Sequence, residues 1–254
     1  MNYDKLVSTT ADVGYLLISS GAEISRAEES MRRIFRAYGV ENGEVFAIPN
    51  FLSVSVGTAE GRPVTAIRRI ASRQTDMRRV ALANDLCRRI CFAKPNLYHV
   101  DREIARIGSL PSVPVWLQTA AFAVVAFSFT LFYGGNFSDA AVAFLGGAAL
   151  RPVCRILERF HVNTFFIHVT ASFVAAAIAL TFAHFNIYLN YDKIIIGILM
   201  NLVPGIAITD FMRDIIAGDM ISGILRLIES LLVATAIAIG AGIALTATRM
   251  IWGV

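Results

Sequence analysis

Between residues 4 and 38, Leu6, Val13, Leu16, Leu17, Met31, Ile34 and Phe35 recur at helical spacing, which predicts a long helix. Gly14 and Gly21 weaken it, a break at residues 19–21 fits the pattern, and Gly39 is a natural stop. Glu28, Glu29, Arg32, Arg33 and Arg36 offer i,i+4 pairs on its exposed face. The period then changes to two. Residues 45–48, 52–56 and 64–70 read as short strands rich in β-branched residues, with Glu60-Gly61 as a turn between the last two. After Gln74 the helical period returns through Met77, Val80, Ala83, Leu86, Cys87 and Ile90, with Asp76 placed to favour the helix start. A short amphipathic helix follows over 98–108. Residues 1–110 are therefore expected to form a small α/β domain: helix, sheet, helices.

Pro111 and Pro114 mark a change of regime. Residues 113–133 contain no charge, and about 20 apolar residues suffice to cross a bilayer. Gly134-Gly135-Asn136 is a tight turn. Further spans are read at 137–157, 163–185, 192–209 and 223–248. The second is short and glycine-rich, and either continues through Arg151-Pro152 or stops part way. The third carries Ala175, Ala176, Ala177 and Ala179, which allow close helix approach. The fourth is interrupted at Pro204-Gly205. The expected fold class is a membrane all-α bundle of about five transmembrane helices, residues 111–254, preceded by the cytoplasmic α/β domain.

Charge sets the orientation. The chain has 254 residues and net charge +4, with 16 Lys/Arg against 12 Asp/Glu before Pro111 and seven of each after it. The excess belongs beside anionic lipid on the cytoplasmic side, and nucleic acid is not needed to explain it. The 134–137 turn has no Lys or Arg and falls outside, whereas Arg151, Arg155 and Arg159 fall inside, as do Arg213 and Arg226. That alternation leaves the C-terminus outside, where Arg249 is out of place. Residues 1–12 are polar and do not resemble a signal peptide. Cys87, Cys91 and Cys154 make neither a disulfide framework nor a zinc set, so no metal or cofactor is expected.

Candidate chemistry concentrates in residues 201–219. A helix broken at Pro204-Gly205 leaves polar groups that need partners, as in transporter binding sites, which makes Asn201, Pro204, Gly205, Thr209, Asp210 and Arg213 candidates for substrate binding. Arg213 suits a carboxylate. The plainer alternative is a charged loop that ends the helix at the headgroups. Asp214, Asp219, Glu229 and His168 are candidates for proton coupling. Glu229 lies two turns into the last span with Arg226 at i−3, so a structural ion pair is the competing reading; for His168 it is a packing histidine. Asn136 and Asp139 sit at the outer turn, where Asp139 also reads as a helix cap. No G-x-S-x-G, H-E-x-x-H, Walker or G-x-G-x-x-G motif is present, so no enzyme is expected.

Three stretches resemble the threonine/serine exporter family. They are Gly21-Ala22-Glu23 through Arg26, Glu28, Glu29 and Tyr38-Gly39; Tyr133-Gly134-Gly135 with Asp139; and Leu202-Val203-Pro204-Gly205, Thr209, Arg213-Asp214, Gly218-Asp219 and Ser222-Gly223. Within the family the chain is similar to the longer subunit of the two-component bacterial succinate exporter. The resemblance spans roughly residues 10–250. It implies a multi-pass inner-membrane exporter of small polar metabolites, amino acids or dicarboxylates, completed by a smaller membrane subunit of the same family, with a homo-oligomer also open. The rival readings are a membrane-anchored hydrolase using Ser25, Arg26, Glu28 and Glu29, and a scaffold whose basic domain recruits a partner.

Overall fold

The computed structural model describes residues 2–58, 61–186 and 188–252, and the chain divides into two compact units. The first takes Met1–Pro111 together with Thr209–Arg226; the second takes Ser112–Ile208 and Leu227–Val254.

In the first unit, α1 spans Tyr3–Ser19 and α2 Ile24–Ala37. The long helix predicted over 4–38 is thus two helices. The chain reverses at Gly21, whose φ of +91° is a left-handed conformation that side chains with a Cβ disfavour. The Ala22 N–H closes the turn on the Leu17 carbonyl at 3.0 Å. Ile24, Ala27, Met31, Ile34 and Phe35 fall on one face of α2 and are buried, as Leu6, Val7, Val13 and Leu17 are on α1. Gly14 lets the Met31 sulfur approach closely: a Cβ there would lie 2.3 Å from it.

Strands β1 (Gly43–Ile48), β2 (Phe51–Gly57) and β3 (Pro63–Arg69) form an antiparallel meander in the order β1-β2-β3, with Val45 opposite Val54 and Val54 opposite Ala66. Leu52, Val54 and Val56 alternate inward, as the period of two requires. Of the predicted turn, Glu60 lies outside the described residues. Helix α3 (Met77–Ala93) is capped by Asp76, which accepts from the Arg79 N–H at 3.0 Å, and α4 (Leu97–Gly108) by Asn96. Leu86, Ile90, Val100 and Ile107 complete one core with the sheet and the first two helices. Each large side chain fully buried there contributes about 1.5–3 kcal/mol.

The second unit contains α5 (Val115–Phe132), α6 (Phe137–Arg159), α7 (Thr164–Phe185) and α8 (Tyr191–Leu199). Helix α9 (Gly205–Ile216) and helix α10 (Met220–Trp252) each divide between the units. Among the described residues, α5, α6, α7 and α10 are long and apolar enough to cross a membrane. They expose large apolar side chains, such as Val124, Phe166, Leu231 and Ile243, that a water-soluble core would bury. Small residues set the packing. A Cβ on Gly147 would lie 2.5 Å from the Phe122 carbonyl oxygen, one on Gly197 would lie 1.9 Å from Thr130 Oγ1, and one on Gly240 would lie 2.1 Å from the Val169 carbonyl oxygen. These contacts join α5 to α6, α5 to α8 and α7 to α10.

Two span predictions are sharpened. The second lies on one continuous helix: α6 runs through Pro152 to Arg159. The fourth, read over 192–209, is not one helix. Helix α8 has nine residues, about 13 Å, well short of a ~30 Å hydrocarbon core. The chain turns through 200–204, with the Leu202 N–H on the Leu199 carbonyl at 2.8 Å, and becomes helical again at Gly205. Pro204 has no N–H to donate and pushes Val203 out of the helical region.

Candidate functional site

The residues that come together lie where α9 turns back into α10, within the first unit. Two residues past the end of α9 the chain turns at Gly218, whose φ is +89°. The Gly218 N–H reaches the Ile215 carbonyl at 3.1 Å, and the Asp219 N–H reaches that of Asp214 at 2.9 Å. Asp219 Oδ1 accepts from the Ser222 N–H at 3.3 Å and starts α10. Gly223 lets the new helix lie against the old one: a Cβ there would lie 2.5 Å from Ile215 Cγ1.

That reversal aims Arg226 at α9. Asp210 and Asp214 are four residues apart, on one face of the helix. Arg226 Nη1 donates to Asp210 Oδ2 at 2.6 Å, and its Nε lies 3.1 Å from Asp214 Oδ2. The Arg226 side chain is 8% exposed and that of Asp214 1%. Asp214 Oδ1 and Ser222 Oγ are buried and accept or donate no hydrogen bond among the described residues. Burial pushes the Asp214 carboxyl above its ordinary range. Arg226 opposes the shift, while Asp219, Asp210 and Glu23 add to it.

Arg213 faces the loop between α1 and α2. Its Nη1 lies 3.0 Å from Glu23 Oε1, and Glu23 Oε2 also holds Arg26 Nε at 2.7 Å. Arg213 itself is more than half exposed. Nearby, Glu28 accepts from the Ala47 N–H at 2.8 Å and pairs with Arg32 at 2.8 Å. Its carboxyl is raised by burial, which outweighs these two partners. The sequence groups Asp210, Arg213, Asp214 and Asp219, and all four lie where α9 turns back into α10. It missed Glu23, about 190 residues away, and it offered Glu229 as the partner of Arg226 without seeing Asp210 and Asp214. A lone arginine at the head of an apolar segment was the available signal.

The other candidates lie elsewhere. Asn201 donates to the Phe122 and Ile198 carbonyls, both at 3.2 Å, and so fastens the turn after α8 to α5. Pro204 and Gly205 form the break itself. Thr209 and Glu229 are exposed on α9 and α10. His168 sits half-buried on α7, its Nδ1 buried without a hydrogen bond among the described residues. Asp139 is fully buried and caps α6 by accepting from the Asn136 N–H at 2.8 Å. It also accepts from the Asn190 N–H and Nδ2, both at 2.9 Å, which ties the α5–α6 turn to the start of α8. Arg151 pairs with Glu158 at 2.9 Å and Gln118 at 2.6 Å. Among the described residues, no three His, Cys, Asp or Glu are grouped to hold a metal ion.

Comparison with known proteins gives this geometry a context. Residues 8–248 match the family model described as "Putative threonine/serine exporter". The chain is 22% identical over 238 residues to the "Probable threonine/serine exporter" of Mycobacterium tuberculosis (strain ATCC 25618 / H37Rv), covering 93% of this chain and 45% of that protein. It is 22% identical over 255 residues to the "Threonine/serine exporter" of Corynebacterium glutamicum, covering 97% and 52%. It is also 22% identical over 244 residues to the "Probable succinate transporter subunit YjjP" of Escherichia coli (strain K12), covering 94% and 92%. The chain therefore spans about half the length of the first two relatives and nearly all of the third. No solved structure matches it. With four apolar helices long enough to cross a bilayer and a family match over almost its whole length, the chain is a multi-pass membrane protein and belongs to the threonine/serine exporter family.

Proposed function

We propose that the chain is one subunit of a secondary active exporter that moves a small carboxylate-bearing metabolite, threonine, serine or a dicarboxylate such as succinate, across the bacterial inner membrane. A smaller membrane subunit of the same family completes it. The likeness in length to a protein named as a transporter subunit, and the half-length match to two exporters, support this division.

The observation that carries the mechanism is the buried Arg226–Asp210–Asp214 cluster, which follows the Pro204-Gly205 break along the chain. In this reading the first unit is cytoplasmic. Helices α5, α6 and α7 cross in turn, α8 and the start of α9 form a broken fourth crossing, and α10 forms the fifth. Arg213, with Thr209 and Asp210, attracts the substrate carboxylate from the cytoplasmic side, exchanging Glu23 for substrate. Asp214 gains and loses the coupled proton. Its protonation leaves Arg226 paired with Asp210, and its deprotonation restores the shared cation. Asp219 holds the turn, while Glu229 and His168 are secondary candidates for the proton path.

The test is release of threonine, serine and succinate from bacterial cells lacking this gene, with and without a co-expressed small membrane subunit. Loss of release of one metabolite, restored only by both chains, is expected. Unchanged release of all three would remove the assignment. In the restored system, Asp214→Asn should abolish the pH dependence of release. If Glu229→Gln abolishes it and Asp214→Asn does not, the coupling role passes to Glu229.

A further inference from the structure

Away from the α9–α10 hairpin, the first unit holds a second charged concavity. A cleft of 690 Å³ opens between α2 and α3, within the range of small-ligand sites. Arg26 and Arg33 line it from α2 and Arg88 from α3, with Glu29 as the one carboxylate on its wall. Glu29 is held by Arg33 at 2.5 Å. Arg26 is held by Glu23 at 2.7 Å, and the wall itself carries three guanidinium groups against one carboxylate. Arg88 forms no ion pair or hydrogen bond among the described residues, since its neighbour Asp85 is taken by Arg89 at 3.1 Å. Asn84 lines the same wall with its amide unused. At the rim, Phe92 is 94% exposed, an apolar surface on which the body of a ligand can rest.

We propose that this cleft binds a small soluble metabolite with a dianionic head, a phosphate or a dicarboxylate, gripped by Arg33 and Arg88. The excess of two positive charges sets the charge of the ligand, and the planar forks set its chemistry, because guanidinium groups pair bidentately with phosphate and carboxylate oxygens. The site stands apart from the α9–α10 cluster, and its occupancy does not depend on the export reading.

Cys91 supplies a built-in reporter. It is half-buried in the cleft wall, and Arg33 partly offsets the upward push of burial on its thiol. Cys87 is buried and pushed up to about 12, and Cys154 is buried, so both react far more slowly. The experiment follows maleimide alkylation of Cys91 by mass spectrometry. It uses the full chain in detergent free of anionic lipid, with inorganic phosphate or succinate added at constant ionic strength. Either probe is expected to slow labelling at least about fivefold. Arg33→Ala and Arg88→Ala should each raise the half-protecting concentration about tenfold, the loss of roughly one charge-assisted pair. Arg78→Ala, on the same helix but outside the cleft, should leave it unchanged. Equal labelling with and without both probes up to about 10 mM, a concentration that detects even weak binding, would overturn the proposal. So would protection that appears only with phosphatidylglycerol present, which would make the cleft a lipid-headgroup contact.

Discussion

Replacing Arg226 with Met removes one cation and leaves two carboxylates, one of them 1% exposed, side by side on α9 without the cation they share. Breaking a buried ion pair from one side costs about 3–5 kcal/mol, because the orphaned charge keeps its desolvation penalty and loses its compensation. Asp210 keeps some access to water, so the lower half of that range is expected. For a chain of this size, about 2–4 °C is lost per kcal/mol, which predicts a drop of roughly 6–16 °C in the midpoint of thermal unfolding. The midpoint would be read in detergent by the loss of the monodisperse chromatographic peak after heating. Two controls separate charge from volume. Lowering the pH toward about 4 should shrink the deficit, because the Asp214 carboxyl, raised by burial, gives up its charge first. Arg226→Met combined with Asp210→Asn and Asp214→Asn should recover most of the loss, since an uncharged hairpin carries no buried orphan. A single variant as stable as the parent at neutral pH, or a triple variant no better than the single one, would refute the claim that the cluster is electrostatically closed.

Three further outcomes follow from the same geometry. Asp214 has its carboxyl raised in the folded state, so its protonated form contributes stability below the ordinary carboxylate range that is lost as pH rises through the raised value. Asp214→Asn should therefore flatten the pH dependence of the unfolding midpoint and raise the midpoint at pH 8; a lower midpoint there would show that the ionised group stabilises the fold. Gly240→Ala places a methyl group 2.1 Å from the Val169 carbonyl oxygen, and thermal unfolding should show a loss although Ala is favoured over Gly by about 1 kcal/mol in an open helix. Asp139→Ala should cost about 1–3 kcal/mol by stranding the Asn136 and Asn190 donors, read as lower yield of folded protein and earlier unfolding; Asp139→Asn, which keeps an acceptor, should cost less.

The elements legible in the sequence are those written in local period. The three strands appear within two residues of their predicted places, and Asp76 caps the helix it precedes. The broken fourth segment was also visible, because proline acts on its own neighbourhood. What was hidden depends on chain reversal. Arg226 meets Asp210 and Asp214 only because Gly218 turns the chain and Gly223 permits close approach, while spacings of 16 and 12 residues carry no helical signature. Glu23 with Arg213, and Asp139 with Asn190, are pairings across 190 and 51 residues that no periodicity encodes. Asp139 reads from the sequence either as an outer-turn candidate or as a helix cap, and its bond to the Asn136 N–H is a capping bond.

The membership of Thr209–Arg226 in the first unit bears on how the gene can be cut. The polypeptide passes between its units three times, so a fragment ending at Pro111 is a body with a piece missing. It would leave Glu23 without Arg213, and the remaining chain would keep the charged hairpin with nothing to dock on. Expression of the halves as separate products should yield two unstable proteins. A version of the first unit worth crystallising would carry residues 209–226 grafted behind residue 111 through a flexible linker.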